Sequence, residues 1–165
     1  MKPGLGKSEI PGILPPSECK GAYTLLILVP AERFLVVGRL GSYTFRKGHY
    51  AYTGSALGKG ASLQRRILRH LSKEKAKRWH IDYLLSEDNV TVTSVVAACT
   101  GKKMECEINR YLRDILQAEI PVPRFGASDC REKCGSHLLY LGEEKDIARR
   151  IFRLYLEKIG TEVTH

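Results

Sequence analysis

The chain has no apolar run near the roughly 18–20 residues that cross a bilayer. Its longest, Leu25 to Pro30, suits one buried strand. The opening Met1-Lys2-Pro3-Gly4 carries no apolar core of a secretory signal, so a cytoplasmic location without membrane attachment is expected. Internal repeats and low-complexity tracts are absent, which excludes fibrous and collagen-like classes. Cysteine is sparse and odd in number, five residues. In a reducing cytosol that count argues against a disulfide framework, and Cys99 and Cys106 read as packing thiols. Acidic residues are in deficit, 18 against 27 Lys and Arg, leaving +9. What remains is ordinary: 165 residues, 43% apolar and 27% charged, enough for one folded domain and too apolar for wholesale disorder.

Pattern divides the chain into an irregular arm, 1–20, with four of the seven prolines, and a single domain over 21–165. Strands are predicted at Ala22–Val29, Arg33–Leu40, Tyr43–Phe45 and His49–Thr53, each rich in β-branched or aromatic residues. A helix from Ser62 to Ser72 follows, with Leu63, Ile67, Leu68 and Leu71 on its apolar face. A short helix is predicted at Trp79–Leu85, where Trp79 and Tyr83 read as core anchors. Then come a strand at Val90–Ala98 and a helix at Lys103–Ala118, whose apolar face carries Met104, Ile108, Tyr111, Leu112 and Ile115. A strand at Ser136–Leu141 and a helix at Glu143–Ile159 complete the chain. This order implies an α+β class, a small and mainly antiparallel sheet flanked by helices.

The basic excess is concentrated. Lys59, Arg65, Arg66, Arg69, Lys73, Lys75, Lys77 and Arg78 lie within twenty residues that hold one acidic residue, Glu74. Such a field attracts polyanions, and phosphate contacts dominate nucleic-acid affinity. No exposed aromatic face accompanies the charge, which argues against a membrane surface. Gly54-Ser55-Ala56-Leu57-Gly58-Lys59-Gly60 looks like a phosphate loop, but its spacing is one short and Gly60 replaces the magnesium-binding hydroxyl. These departures argue against nucleotide hydrolysis by that route. A backbone nest for a nucleic-acid phosphate at the helix start is the remaining role for Gly54, Ser55 and Lys59.

Gly21-Ala22-Tyr23 and Tyr52-Thr53-Gly54 fall on two predicted strands, followed by Arg65-Arg66 and Arg69-His70-Leu71 on a helix and Met104-Glu105-Cys106 on another. This set resembles the GIY-YIG nuclease superfamily. The phrases Tyr52-Thr53-Gly54-Ser55-Ala56, Trp79-His80-Ile81-Asp82-Tyr83-Leu84-Leu85, Phe125-Gly126-Ala127-Ser128-Asp129-Cys130 and Ser136-His137-Leu138 are similar to the branch found alone or fused to endonuclease III-type DNA glycosylases. The 28 residues between Tyr23 and Tyr52 exceed the roughly ten usual in the superfamily, so an extra hairpin is expected there.

The resemblance implies a nuclease on DNA or RNA, with DNA the favoured substrate and a DNA-repair glycosylase as functional partner. It assigns Glu105 as ligand to one Mg²⁺ or Mn²⁺, hard cations that prefer carboxylate oxygen. Arg66 would hold the scissile phosphate, Tyr23 and Tyr52 would orient water and phosphate, and His70 would contact phosphate or relay a proton. Helical phase favours Glu105 over Glu107 as the residue at a cleft edge. Arg65 and Arg69 would point outward to flanking phosphates, and His80 would stand near the cleft. The other reading is a non-catalytic nucleic-acid-binding module on the same fold. Cys130, Cys134 and His137 supply three ligand types suited to structural zinc, but lack a fourth nearby. Cys19, His80 or Asp129 would have to come from elsewhere, so zinc is the weaker expectation.

Overall fold

The computed structural model describes residues 14–160 and 163–164. Its sheet is built around β1 (Gly21–Val29), which pairs antiparallel with β4 (Gly48–Ala56) on one side and β5 (Thr91–Ala98) on the other. β6 (Leu138–Gly142) extends the β4 edge and β7 (Val163–Thr164) the β5 edge, giving the order β6-β4-β1-β5-β7 with every neighbour antiparallel. Between β1 and β4, β2 (Arg33–Val36) and β3 (Ser42–Phe45) form a separate hairpin. That is the expected insertion between the two tyrosine tripeptides. The α+β class is therefore observed.

β1 shows why Leu25–Val29 is an unbroken apolar run: both faces are covered. Successive side chains alternate across a strand. Tyr23, Leu25, Ile27 and Val29 pack with Leu63 and Ile67 of α1 (Leu63–Leu71) and Ile81 and Leu84 of α2 (His80–Leu85). Ala22 and Leu26 pack instead with Ile108 and Leu112 of α3 (Glu105–Leu116) and Ile151 and Leu154 of α4 (Ile147–Ile159). The result is two helical layers on one sheet. None of the helices among the described residues is long and apolar enough to cross a membrane.

Several expected faces need correction. Leu68 and Ile115 are exposed, because each lies at the rim of its helix's apolar stripe rather than under the sheet. Trp79 is not a core anchor. It precedes α2 and keeps about a third of its surface open. The helix predicted at Glu143 begins at Ile147, and β4 runs on to Ala56.

The arm's first thirteen residues lie outside the described residues. Residues 14–20 contain no helix or strand but are pinned to the start of α1. Ser62 Oγ donates to the Ser17 carbonyl at 2.7 Å, and the Leu63 N–H donates to the Cys19 carbonyl at 3.0 Å.

Cys19 is disulfide-bonded to Cys99, which corrects both the expectation of free thiols and the packing role given to Cys99. Sheet register explains the pairing. Ala22 stands opposite Ala98, so the residues just before β1 and just after β5 run side by side, with the two Cα atoms 5.5 Å apart. The sequence separation is 80 residues. Closing so long a loop restricts the unfolded chain and is worth about 2–4 kcal/mol. Cys19→Ala with Cys99→Ala should therefore lower the unfolding free energy by that amount, read as a drop in the denaturant midpoint, and reducing the wild type should reproduce the shift. A midpoint unmoved by either treatment would show that the bond adds nothing.

Candidate active-site cleft

Tyr23 and Tyr52 reach one cleft because of strand pairing. Tyr23 on β1 stands opposite Gly54 on β4, and Tyr52 lies two residues before Gly54 on the same face. A Cβ at position 54 would come within 2.6 Å of the Tyr23 hydroxyl, so glycine is a steric requirement there. Arg66 enters from α1 and Glu105 from the first turn of α3. These four residues, with Gly54 and Ser55, line a single cavity of about 250 Å³. Its remaining wall is Trp79 together with Gly126, Asp129 and His137, from the irregular stretch between α3 and β6. Positions separated by more than eighty residues in sequence thus converge.

The cleft floor is electrically neutral where the tyrosines sit. Burial, reinforced by the nearby Tyr52, holds the Tyr23 phenol well above its ordinary pKa. Burial also raises Tyr52, to about 12, against the opposing pull of Arg66. The Tyr23 hydroxyl lies 2.7 Å from His70 Nε2. Burial drives the His70 pKa down to about 3, so the ring is neutral at pH 7.

Only 2% of His70 is exposed, and its ring packs against Tyr23, Tyr52 and Trp79. It stands behind Tyr23, not in the cleft, which corrects the expected phosphate contact. A ring held neutral is also a weak store for a proton, so its place is to position Tyr23. A pH effect follows. The unfolded chain binds a proton at His70 below about pH 6.5 while the folded chain does not. Stability should fall as pH drops from 6.5 toward 3, by up to about 1.4 kcal/mol per unit from this group. His70→Gln should flatten that limb in pH-dependent denaturation, and an unaltered limb would assign it to other groups.

Arg66 is anchored at one nitrogen, where Nη1 donates to the Ser55 carbonyl, and its guanidinium lies 5.1 Å from the Trp79 ring centroid. The rest of its fork remains available at the cleft. Glu105 is 8% exposed, and its Oε2 is buried with no hydrogen-bond partner among the described residues. A carboxylate oxygen in that condition is costly unless a cation or donor meets it. Glu107, two residues further along α3 and on the other side of the helix, is exposed and pairs with Lys158 at 2.7 Å, as helical phase predicts.

The basic segment is partly consumed by the fold. Arg69 does not reach outward: Nη1 and Nη2 donate to Asp82 at 3.0 and 2.9 Å, and the Asp82 side chain is wholly buried. Burial opposes ionisation of Asp82, but the Arg69 fork and the Trp79 and Arg78 N–H groups outweigh it and hold the pKa below its usual value. Lys73 Nζ donates to the carbonyls of Leu85, Glu87 and Val90, and Lys75 Nζ to those of His70 and Ser72. Lys59, Arg65, Lys77 and Arg78 stay exposed.

Lys59 sits on the exposed glycine loop and is not among the cleft residues. The α1 N-terminus is closed by Ser62, whose hydroxyl accepts from the Arg65 N–H, so the expected phosphate nest is already filled from within. His80 Nδ1 accepts from the Gly126 N–H at 2.9 Å and lines an adjoining pocket with Tyr52, Trp79 and Asp129. It fastens the cleft wall. Gly126 adopts φ +68°, and a Cβ there would press on the Tyr52 ring at 3.0 Å.

Sequence reasoning missed Trp79, Asp129 and Cys106. Trp79 was read as core because aromatic residues at helical spacing usually are, and the exposed Asp129 carries no pattern of its own. Cys106 lies beside Cys130, Cys134 and His137, and the four ligand atoms all fall within 4.8 Å of one another. The fourth donor absent from the sequence pattern is therefore present, supplied by α3 rather than by Cys19, His80 or Asp129.

What these features define is an α+β protein with a polar cleft lined by two tyrosines, an arginine and a buried carboxylate. Residues 22–159 match the family described as Domain of unknown function DUF123, and the chain belongs to that family. The matched span includes Tyr23, Tyr52, Arg66, Glu105 and the cysteine–histidine cluster. No curated protein and no solved structure matches the chain.

Proposed function

We propose that this protein is a divalent-metal-dependent endonuclease of the GIY-YIG type, hydrolysing phosphodiester bonds in DNA in preference to RNA. The observation that carries the reading is the convergence of Tyr23, Tyr52, Arg66 and Glu105 on one cleft. A binding module has no need of a buried carboxylate beside a bound phosphate. The unpartnered Glu105 oxygen suits one Mg²⁺ or Mn²⁺, which when bound supplies positive charge against the developing phosphorane. Arg66 grips the non-bridging oxygens through the donors that Ser55 leaves unused. Tyr23 and Tyr52 orient the attacking water, with the Tyr23 hydroxyl fixed in direction by His70. Trp79 lines the cleft and keeps about a third of its surface open, where an unstacked base can make contact. A DNA-repair setting, with a glycosylase generating the lesion that this enzyme cuts beside, is the context we infer.

The test is a cleavage panel of supercoiled plasmid, single-stranded, duplex and branched DNA, and RNA, run with Mg²⁺ or Mn²⁺ and again with chelator. Nicking that needs the cation and favours DNA is the expected result. Tight binding without cleavage of any substrate would favour the non-catalytic module.

A further inference from the structure

We infer that Cys106, Cys130, Cys134 and His137 bind one zinc ion, and that this ion braces the wall of the cleft. The three sulfurs lie 3.3, 3.2 and 3.6 Å apart, and His137 Nε2 is 3.5 Å from Cys106 Sγ. A tetrahedral ion with Zn–S near 2.3 Å and Zn–N near 2.0–2.1 Å sets its ligands about 3.6–3.8 Å apart. The four donors are thus gathered to the size of a single ion. Two or more bridged irons would spread the sulfurs further, and a hard cation would not choose thiolates. Packing alone gives no reason for three thiols and an imidazole to point at one spot with no disulfide among them.

The placement gives the ion its task. Cys106 is the neighbour of Glu105 in the first turn of α3. The other three donors come from the stretch between α3 and β6, which has no helix or named strand of its own. That same stretch brings Gly126, Asp129 and His137 to the cleft. His137 is held at its far side too: its carbonyl accepts from the Thr53 N–H at 3.0 Å, beside Tyr52. One ion therefore ties the Glu105 turn, the cleft loop and the second tyrosine strand together. On binding, the three thiols each release a proton to solvent and His137 ligates as the neutral ring, leaving a site of net charge −1.

The site itself stands whether or not the cleft cleaves nucleic acid; only the bracing of a catalytic Glu105 rests on the nuclease reading. The test uses the full chain and reads metal directly. Protein purified without added metal should carry about one zinc per chain by elemental analysis. Chelator-stripped wild type titrated with Co²⁺ should develop the intense visible bands of tetrahedral cobalt with thiolate charge transfer. Cys130→Ser, which alters the least buried of the thiols, should lose at least about tenfold in zinc affinity. Cys19→Ser with Cys99→Ser should keep its zinc. The wild-type titration decides the matter even where a variant fails to fold. Zinc absent from the wild type together with a blank cobalt titration, iron in its place, a Cys130–Cys134 disulfide in the purified protein, or full zinc in folded Cys130→Ser would each overturn the proposal.

Discussion

Glu105→Gln should lower metal-dependent cleavage by on the order of 10³ or more while leaving nucleic-acid binding intact, by analogy with the loss of other electrostatic stabilisers at reacting centres. The substitution keeps the volume and hydrogen-bonding capacity of the side chain and removes only its charge. Because Glu105 is buried and its Oε2 has no partner among the described residues, no ion pair within the fold is broken. Stability should hold or rise slightly. Binding should tighten if anything, since a carboxylate facing phosphate repels it. Glu107→Gln is the internal control. It breaks only the exposed contact with Lys158 and should cleave at the wild-type rate. Equal cleavage by wild type and Glu105→Gln would remove Glu105 from the cation site, whatever the panel of substrates shows.

The two glutamates also show what the sequence could reveal. One helix, two carboxylates and a phase of 100° per residue sufficed to separate them, because α3 is regular and its apolar stripe fixes its rotation. The strands were legible for a similar reason: β1 and β5 are rich in β-branched and aliphatic residues bounded by turn residues. Contacts set by long-range register were not. Cys19 and Cys99 meet only because Ala22 is opposite Ala98. Cys106 joins Cys130 and Cys134 only because α3 packs beside an irregular stretch that no periodicity describes. The rims of stripes were also misjudged, as at Leu68 and Ile115, where one helical step separates cover from exposure. Arg69 failed for a different reason. Helical phase gave its direction from α1 correctly as away from the apolar stripe, but could not show that α2 would set a buried carboxylate in its path.

That buried pair makes the strongest stability prediction. Arg69→Ala should cost about 3–5 kcal/mol, the range for removing one partner of a buried ion pair. It strands the wholly buried Asp82 carboxylate, which then keeps only the Arg78 and Trp79 N–H groups, at 2.9 and 3.0 Å. It also frees the Ala76 carbonyl and takes away the guanidinium 4.1 Å from the Trp79 ring centroid, so the cleft mouth loosens along with α2. Asp82→Ala should cost a similar amount or less, since it uncaps α2 and leaves the Arg69 guanidinium with the Ala76 carbonyl alone. Replacing both partners, Arg69→Met with Asp82→Leu, should cost less than the sum of the two single changes, because no charge is left unpaired. Arg65→Ala is the contrast. Its side chain is exposed, so stability should stay within about 0.5 kcal/mol, while the slope of log affinity against log salt should shallow by about one. Denaturant midpoints and salt titrations on the same proteins separate the two arginines. Should Arg69→Ala keep the wild-type midpoint and flatten the salt slope instead, Arg69 would belong to the phosphate-binding surface and not to the fold.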